Sequence, residues 1–176
     1  RRRLASQEAA LKYFILGAFS SAFFLFGAAL IYAATSSISF STVAVAMENS
    51  SQDGLIIPGI GMIAVGLLFK VGAVPFHQWV PDVYQGSPTP LTAFMSAATK
   101  VAAFGALLRV FYVAFGGMRW DWRPMMWVIA ALSMGIGSLL AVTQTDMKRM
   151  LAFSSVAHTG FILIGVISTS AAGLSS

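Results

Sequence analysis

Gly66-Leu-Leu-Phe-Lys70-Val-Gly72-Ala-Val-Pro75-Phe-His77 closes an apolar run that opens at Gly54. The run is long enough to enter a bilayer, yet it cannot cross one as an unbroken helix. Pro75 removes a backbone donor and clashes with the carbonyl four residues earlier, at Val71. Gly72 lowers helix propensity further. Together they predict a spanning helix that breaks just after Lys70. Irregular backbone at membrane depth is tolerated only where protein buries it or where it lines a wet cavity. Transporters use such breaks to build ion sites.

The rest of the chain makes a membrane the only suitable solvent. The 176 residues are 57% hydrophobic and 10% charged, with a mean hydropathy of +0.80. Soluble domains carry roughly 45–50% apolar and about 25% charged residues. Six acids and eleven bases could not cover the surface of a soluble protein of this length. The net charge of +5 is not gathered on one face, as a surface that tracks phosphates requires, so a nucleic-acid partner is excluded. With no cysteine, disulfides and thiolate-held metals or clusters are excluded in this chain. The chain opens on Arg1-Arg2-Arg3 without an initiator Met, and no Asp, Glu, Lys or Arg occurs from Tyr13 to Met47. It reads as an internal piece of a larger membrane protein, a single membrane domain over 1–176.

A spanning helix needs about 20 apolar residues. Five segments satisfy this, near 13–34, 55–79, 90–115, 125–144 and 150–169, the second being the broken one. The expected fold is therefore all-α integral membrane, with turns at 36–54, 81–89, 116–123 and 145–149. Placing the N-terminus in the cytoplasm puts Arg1, Arg2, Arg3, Lys12, Lys148 and Arg149 on that side, against Arg119 and Arg123 opposite. That asymmetry follows the positive-inside rule, and Trp120, Trp122 and Trp127 are expected as anchors at the outer interface.

The few charges inside the spans carry the functional signal. Lys70 is expected roughly 22 Å from the outer side, and Lys100 ~15 Å from the inner side on the next, antiparallel helix. Their depths thus differ by about 10 Å at most. His158 enters the fifth span ~13 Å from the inner side, and His77 follows the break. A lysine at the bilayer centre costs on the order of 2.5–3.5 kcal/mol. Desolvation and a neighbouring like charge both favour the neutral amine, so such groups with water between them can pass protons. The bland alternative is an ion pair or a snorkelling stem for each lysine, and a hydrogen-bonded core residue for each histidine. Glu8 and Lys12 stand four apart, a favourable helical pair of small energy. Arg109 suits snorkelling. Asp82 and Tyr84, among Pro81, Gly86, Pro88 and Pro90, read as a rigid loop, and Asp146, Lys148 and Arg149 as a solvated turn. No phosphate loop, nucleophile–base pair or metal-spaced cluster is present, and the Gly-Xaa-Gly triplets at 59–61 and 135–137 suit close helix packing.

The stretch from Gly66 to Pro90 resembles the signature of the antiporter-like membrane subunits of respiratory complex I. Its Val74-Pro75-Phe76-His77-Gln78-Trp79-Val80-Pro81-Asp82 core is shared with the multisubunit sodium/proton antiporters. The continuation Asp82-Val-Tyr84-Gln-Gly86-Ser-Pro88-Thr-Pro90 is similar to the subunit-N branch, as are Ser6-Gln-Glu8-Ala-Ala-Leu-Lys12-Tyr13 and Gln144-Thr-Asp146-Met-Lys148-Arg149 through His158.

The resemblance implies an inverted-repeat fold of about fourteen helices, of which this chain matches the sixth to the tenth. It implies a proton path through Lys70 on the broken helix, Lys100 on the next, His77, Glu8 and Lys12, with His158 as a further candidate. A glutamate before Arg1 and a lysine beyond Ser176 would complete that path. The implied activity is proton translocation in the membrane arm of an NADH:quinone oxidoreductase. This chain would be a non-redox part, not catalytic alone, binding no metal or cofactor, with NADH, flavin, iron–sulfur clusters and quinone on partner subunits. Its partners would be other membrane-arm subunits and the lipid of the cell inner membrane. The rival reading is a subunit of a multisubunit cation/proton antiporter.

Overall fold

A computed structural model describes residues 2–48 and 53–168. It is all helix among these residues, with five helices long and apolar enough to span a bilayer. Helix α1 (Arg2–Thr35) runs the length of the bundle, and the short α2 (Phe40–Glu48) follows it. The third, α3 (Asp53–Val71), returns antiparallel to α1 and ends at the expected break, and α4 (Trp79–Gly86) is a short helix beyond it. Then α5 (Thr89–Arg109) closes in a π-helical turn, Val110–Ala114, and α6 (Arg119–Val142) and α7 (Met147–Ser168) form an antiparallel hairpin. The side chains of Arg1 to Arg3, Glu48 and Asp53, and Thr169 at the end of the fifth expected span, lie outside the described residues.

Small residues set the two tightest pairings. On α1 and α3, a Cβ at Gly27 would meet the Gly59 carbonyl at 2.8 Å, and one at Gly66 would meet Phe24 at 2.6 Å. On α6 and α7, a Cβ at Gly137 would meet the Ala157 nitrogen at 2.7 Å. One glycine of each Gly-Xaa-Gly triplet thus serves close packing, while Gly61 and Gly135 face open space. Interhelical contact in lipid depends on such close approach, since lipid tails compete with apolar side chains on equal terms.

Three expectations are corrected. The segment 81–89 is not simply a loop: α4 accommodates Pro81 in its first turn, where the missing N–H would have had no helical acceptor anyway. The first connection is not plain loop either, because α2 packs Val43 and Met47 into the core. Trp122 is not an interfacial anchor. It is 1% exposed, packs edge-on to Phe111 with ring centroids 5.0 Å apart, and donates Nε1 to the Phe115 carbonyl at 3.0 Å. Trp120 and Trp127 are exposed.

Candidate functional site

The end of α3 is closed by glycine. Gly72 takes φ +74°, a region that L side chains avoid, and its N–H reaches the Phe69 carbonyl at 3.1 Å while Ala73 N–H reaches Leu68 at 3.0 Å. Beyond it the chain runs through a cis Val74–Pro75 bond to α4. Three other helices also reach polar groups of the break. Trp79 Nε1 of α4 donates to the Phe69 carbonyl at 3.0 Å. Ser133 of α6, fully buried, accepts the Val74 N–H at 3.0 Å and donates to Ile129 of its own helix at 2.7 Å. Thr159 of α7 lies 3.1 Å from the Val71 carbonyl.

That same Thr159 belongs to the site of Lys100. The Lys100 side chain crosses from α5 to α7 and is 8% exposed. Its Nζ donates to the Ser155 carbonyl at 2.9 Å, to the Ser155 hydroxyl, and to Thr159 Oγ1 at 2.9 Å. An ammonium has three donors, and each one meets a neutral oxygen. No carboxylate pairs with it among the described residues. Around it, α5 and α7 stand apart over a groove of about 960 Å³ whose polar lining includes Tyr84, Ser96, Ser154 and His158. The Tyr84 hydroxyl is buried next to Ser155, and burial pushes its phenol up to about 12, so it stays protonated.

Lys70 and Lys100 occupy different faces. Lys70, in the last turn of α3, lies exposed with Nζ 5.7 Å from the centre of the Tyr13 ring on α1. A helix C-terminus carries partial negative charge, which favours a cation there. Lys100 faces α7, and Thr159 joins it to the carbonyl of Val71, the neighbour of Lys70. His77 sits within the break, half-buried, its imidazole close to the Pro75 backbone and its ring 6.3 Å from that of Phe153. His158 is exposed on the groove wall near Phe161. Arg109 stacks 6.0 Å from the Phe40 ring of α2.

Glu8 and Lys12 lie elsewhere, in a charged network that the sequence reading divided into a helical pair, a loop and a turn. Lys12 Nζ sits 2.7 Å from Glu8 and 2.8 Å from Asp82 Oδ2, and Arg149 takes Asp82 Oδ1 at 2.8 Å. Arg149 also donates to Gln85 and Gln144, both at 3.2 Å, and Gln85 reaches Asp146 at 3.3 Å. Asp82 and Arg149, taken as parts of a loop and a solvated turn, thus fasten α4 to α1 and α7. Burial works to raise the Asp82 carboxyl, but hydrogen bonds from Lys12 and Arg149 outweigh it and hold it below the usual carboxylate value.

The sequence matches a known family along its whole length. A model of the family described as NADH:quinone oxidoreductase/Mrp antiporter, TM, matches residues 1–176. The chain belongs to that family. It is 66% identical over 95% of its length to NADH-quinone oxidoreductase subunit N of a Nocardioides species, covering 32% of that protein. It is 62% identical over its full length to subunit N of Rhodococcus opacus, covering 33%. Among solved structures, respiratory complex I from Thermus thermophilus contains a chain matched with a TM-score of 0.77 at 44% identity, over 90% of this chain and 34% of that one. The Mrp complex from Dietzia is matched with a TM-score of 0.85 at 28% identity, over 95% and 30%. The chain therefore spans about a third of the length of the curated relatives it matches. It is an antiporter-like, multi-pass membrane protein of the fold expected from its sequence.

Proposed function

We propose that this chain is part of subunit N of an NADH:quinone oxidoreductase and that it carries protons across the cell inner membrane. Electron transfer belongs to partner subunits bearing NADH, flavin, iron–sulfur and quinone sites, and this chain contributes no redox group. The observation that carries the reading is the coordination of Lys100, a lysine inside a span held by neutral oxygens. Both of its protonation states can be satisfied there. The ammonium donates three times, and the amine donates twice while a hydroxyl turns to donate to its lone pair. A lysine locked to a carboxylate has no such freedom.

The groove beside Lys100 is large enough for water, which occupies about 30 Å³ per molecule. Protons would enter or leave along it past His158. Lys70 and His77 at the break form the other arm of the path, and the Glu8–Lys12 pair fastens the helices at its end. Energy would arrive along the membrane arm as a shift of charge or conformation in neighbouring subunits. The N-terminal end of α1 is placed on the cytoplasmic side in this reading.

Replacing Lys100 by Met in the full-length subunit of the assembled complex is expected to remove this subunit's pumping and leave the complex assembled. Normal pumping in that variant would sink the assignment. The second reading, a subunit of a cation/proton antiporter, draws support from the Mrp likeness. Purification of the full-length protein with its partners separates the two. Flavin and iron–sulfur absorbance with NADH-to-quinone electron transfer supports the first reading, and a colourless assembly with sodium-dependent proton flux supports the second.

A further inference from the structure

Thr159 is 1% exposed, and its hydroxyl is contested. Oγ1 accepts from Lys100 Nζ at 2.9 Å, and two carbonyls lie within its own reach, Val71 at 3.1 Å and Ser155 at 3.0 Å. A hydroxyl has one proton to give, so it serves one carbonyl at a time. While Lys100 is charged, the Ser155 carbonyl already accepts an N–H from Nζ at 2.9 Å. That leaves Val71 as the carbonyl in need of the hydroxyl proton. Val71 is the last helical residue of α3, next to Lys70, and the final carbonyls of a helix have no partner within it. When Lys100 loses its proton, the amine gains a lone pair 2.9 Å from the same hydroxyl. One of the two hydroxyls that touch Nζ, Ser155 or Thr159, then donates to that lone pair, and when it is Thr159 the Val71 carbonyl loses its cap.

We propose that Thr159 is a positioning residue through which the proton on Lys100 is felt at the end of α3 beside Lys70. The two lysines, set on different faces, then exchange information through one rotating hydroxyl. This inference rests on the proton-carrying reading of Lys100, and its test keeps the two apart.

The experiment uses the assembled oxidoreductase containing the full-length subunit, in inverted membrane vesicles, and reads protons moved per NADH oxidised. Thr159→Val keeps the shape and removes the hydroxyl, and it is expected to fall to the ratio of Lys100→Met. Thr159→Ser is expected to restore the native ratio, and Lys100→Met with Thr159→Val to fall no further than either alone. A native ratio in Thr159→Val, beside a reduced one in Lys100→Met, would overturn the role of Thr159 and leave Lys100 standing. Equal loss in the Val and Ser variants would also overturn it, since the hydroxyl would then be irrelevant. A native ratio in Lys100→Met would overturn the reading beneath. Should Thr159→Val fail to assemble, Thr159→Ala makes the same comparison with Ser.

Discussion

Lys12 and Lys100 are both lysines at helix–helix contacts, held in opposite ways. Lys12 lies between two carboxylates, Glu8 and Asp82, at one end of the bundle. Lys100 lies among two hydroxyls and a carbonyl inside a span. Taking the proton from Lys12 would leave Glu8 without its cation and Asp82 with Arg149 alone. Taking it from Lys100 leaves a carbonyl that the amine can still serve and two hydroxyls that can reverse their roles. The first arrangement makes a fastener and the second makes a site that can change state. Charge alone does not distinguish them; the chemistry of the partner atoms does.

That contrast can be broken in order of effect. The largest change is expected from Lys100→Met in the assembled complex, measured as lost proton uptake by vesicles at preserved assembly. Lys12→Met should leave most of the proton transfer at Lys100 intact if the network is chiefly a fastener, and a loss equal to that of Lys100→Met would erase the distinction. Next comes the scaffold between the two regions. Gly72→Val forces a β-branched residue into positive φ, where a Cβ would meet Val80 Cγ2 at 2.7 Å. It should cost about 1–3 kcal/mol, read as a lower thermal midpoint of the purified full-length protein. Ser133→Ala leaves the buried Val74 N–H without its acceptor, an expected cost of about 1–3 kcal/mol in the same assay.

The smallest effect belongs to the network. Asp82→Asn is expected to cost on the order of 1 kcal/mol, because its partners remain partly exposed and solvent screens them. Its sign with pH is fixed. The Asp82 carboxyl is held below its ordinary value of 3.8. Its stabilisation is therefore complete above that value and is lost as pH falls through the lower folded value. Thermal midpoints of native protein and Asp82→Asn should differ at neutral pH and converge on acidification below 3.8. A difference that persists in strong acid would show that Asp82 acts by shape.

Much of this architecture is written in composition and local pattern. Five apolar runs long enough for a bilayer admit helices only, because lipid offers backbone groups no partner. Pro75 and Gly72 mark the break, since one cannot donate and the other can take the closing conformation. Lys70 and Lys100 stand out because charge is costly at depth. What the sequence left open depends on residues far apart in the chain. Asp82 meets Lys12 across 70 positions and Arg149 across 67, so no local reading joins them. Prolines at 81, 88 and 90 suggested a loop, yet Pro81 fits the first turn of α4 and Pro90 that of α5.

Ser133, Ser155 and Thr159 were silent for a different reason. A hydroxyl in an apolar helix ordinarily bonds its own backbone, as Ser133 and Thr159 do in part, and nothing local marks the ones that also reach across. The sequence by itself determined the solvent, the number of crossings, the site of the break and the lysines worth attention, because hydropathy and backbone chemistry act locally. Only the tertiary structure decided that Lys100 faces hydroxyls and Lys12 faces carboxylates, because the partner of a side chain is a matter of packing.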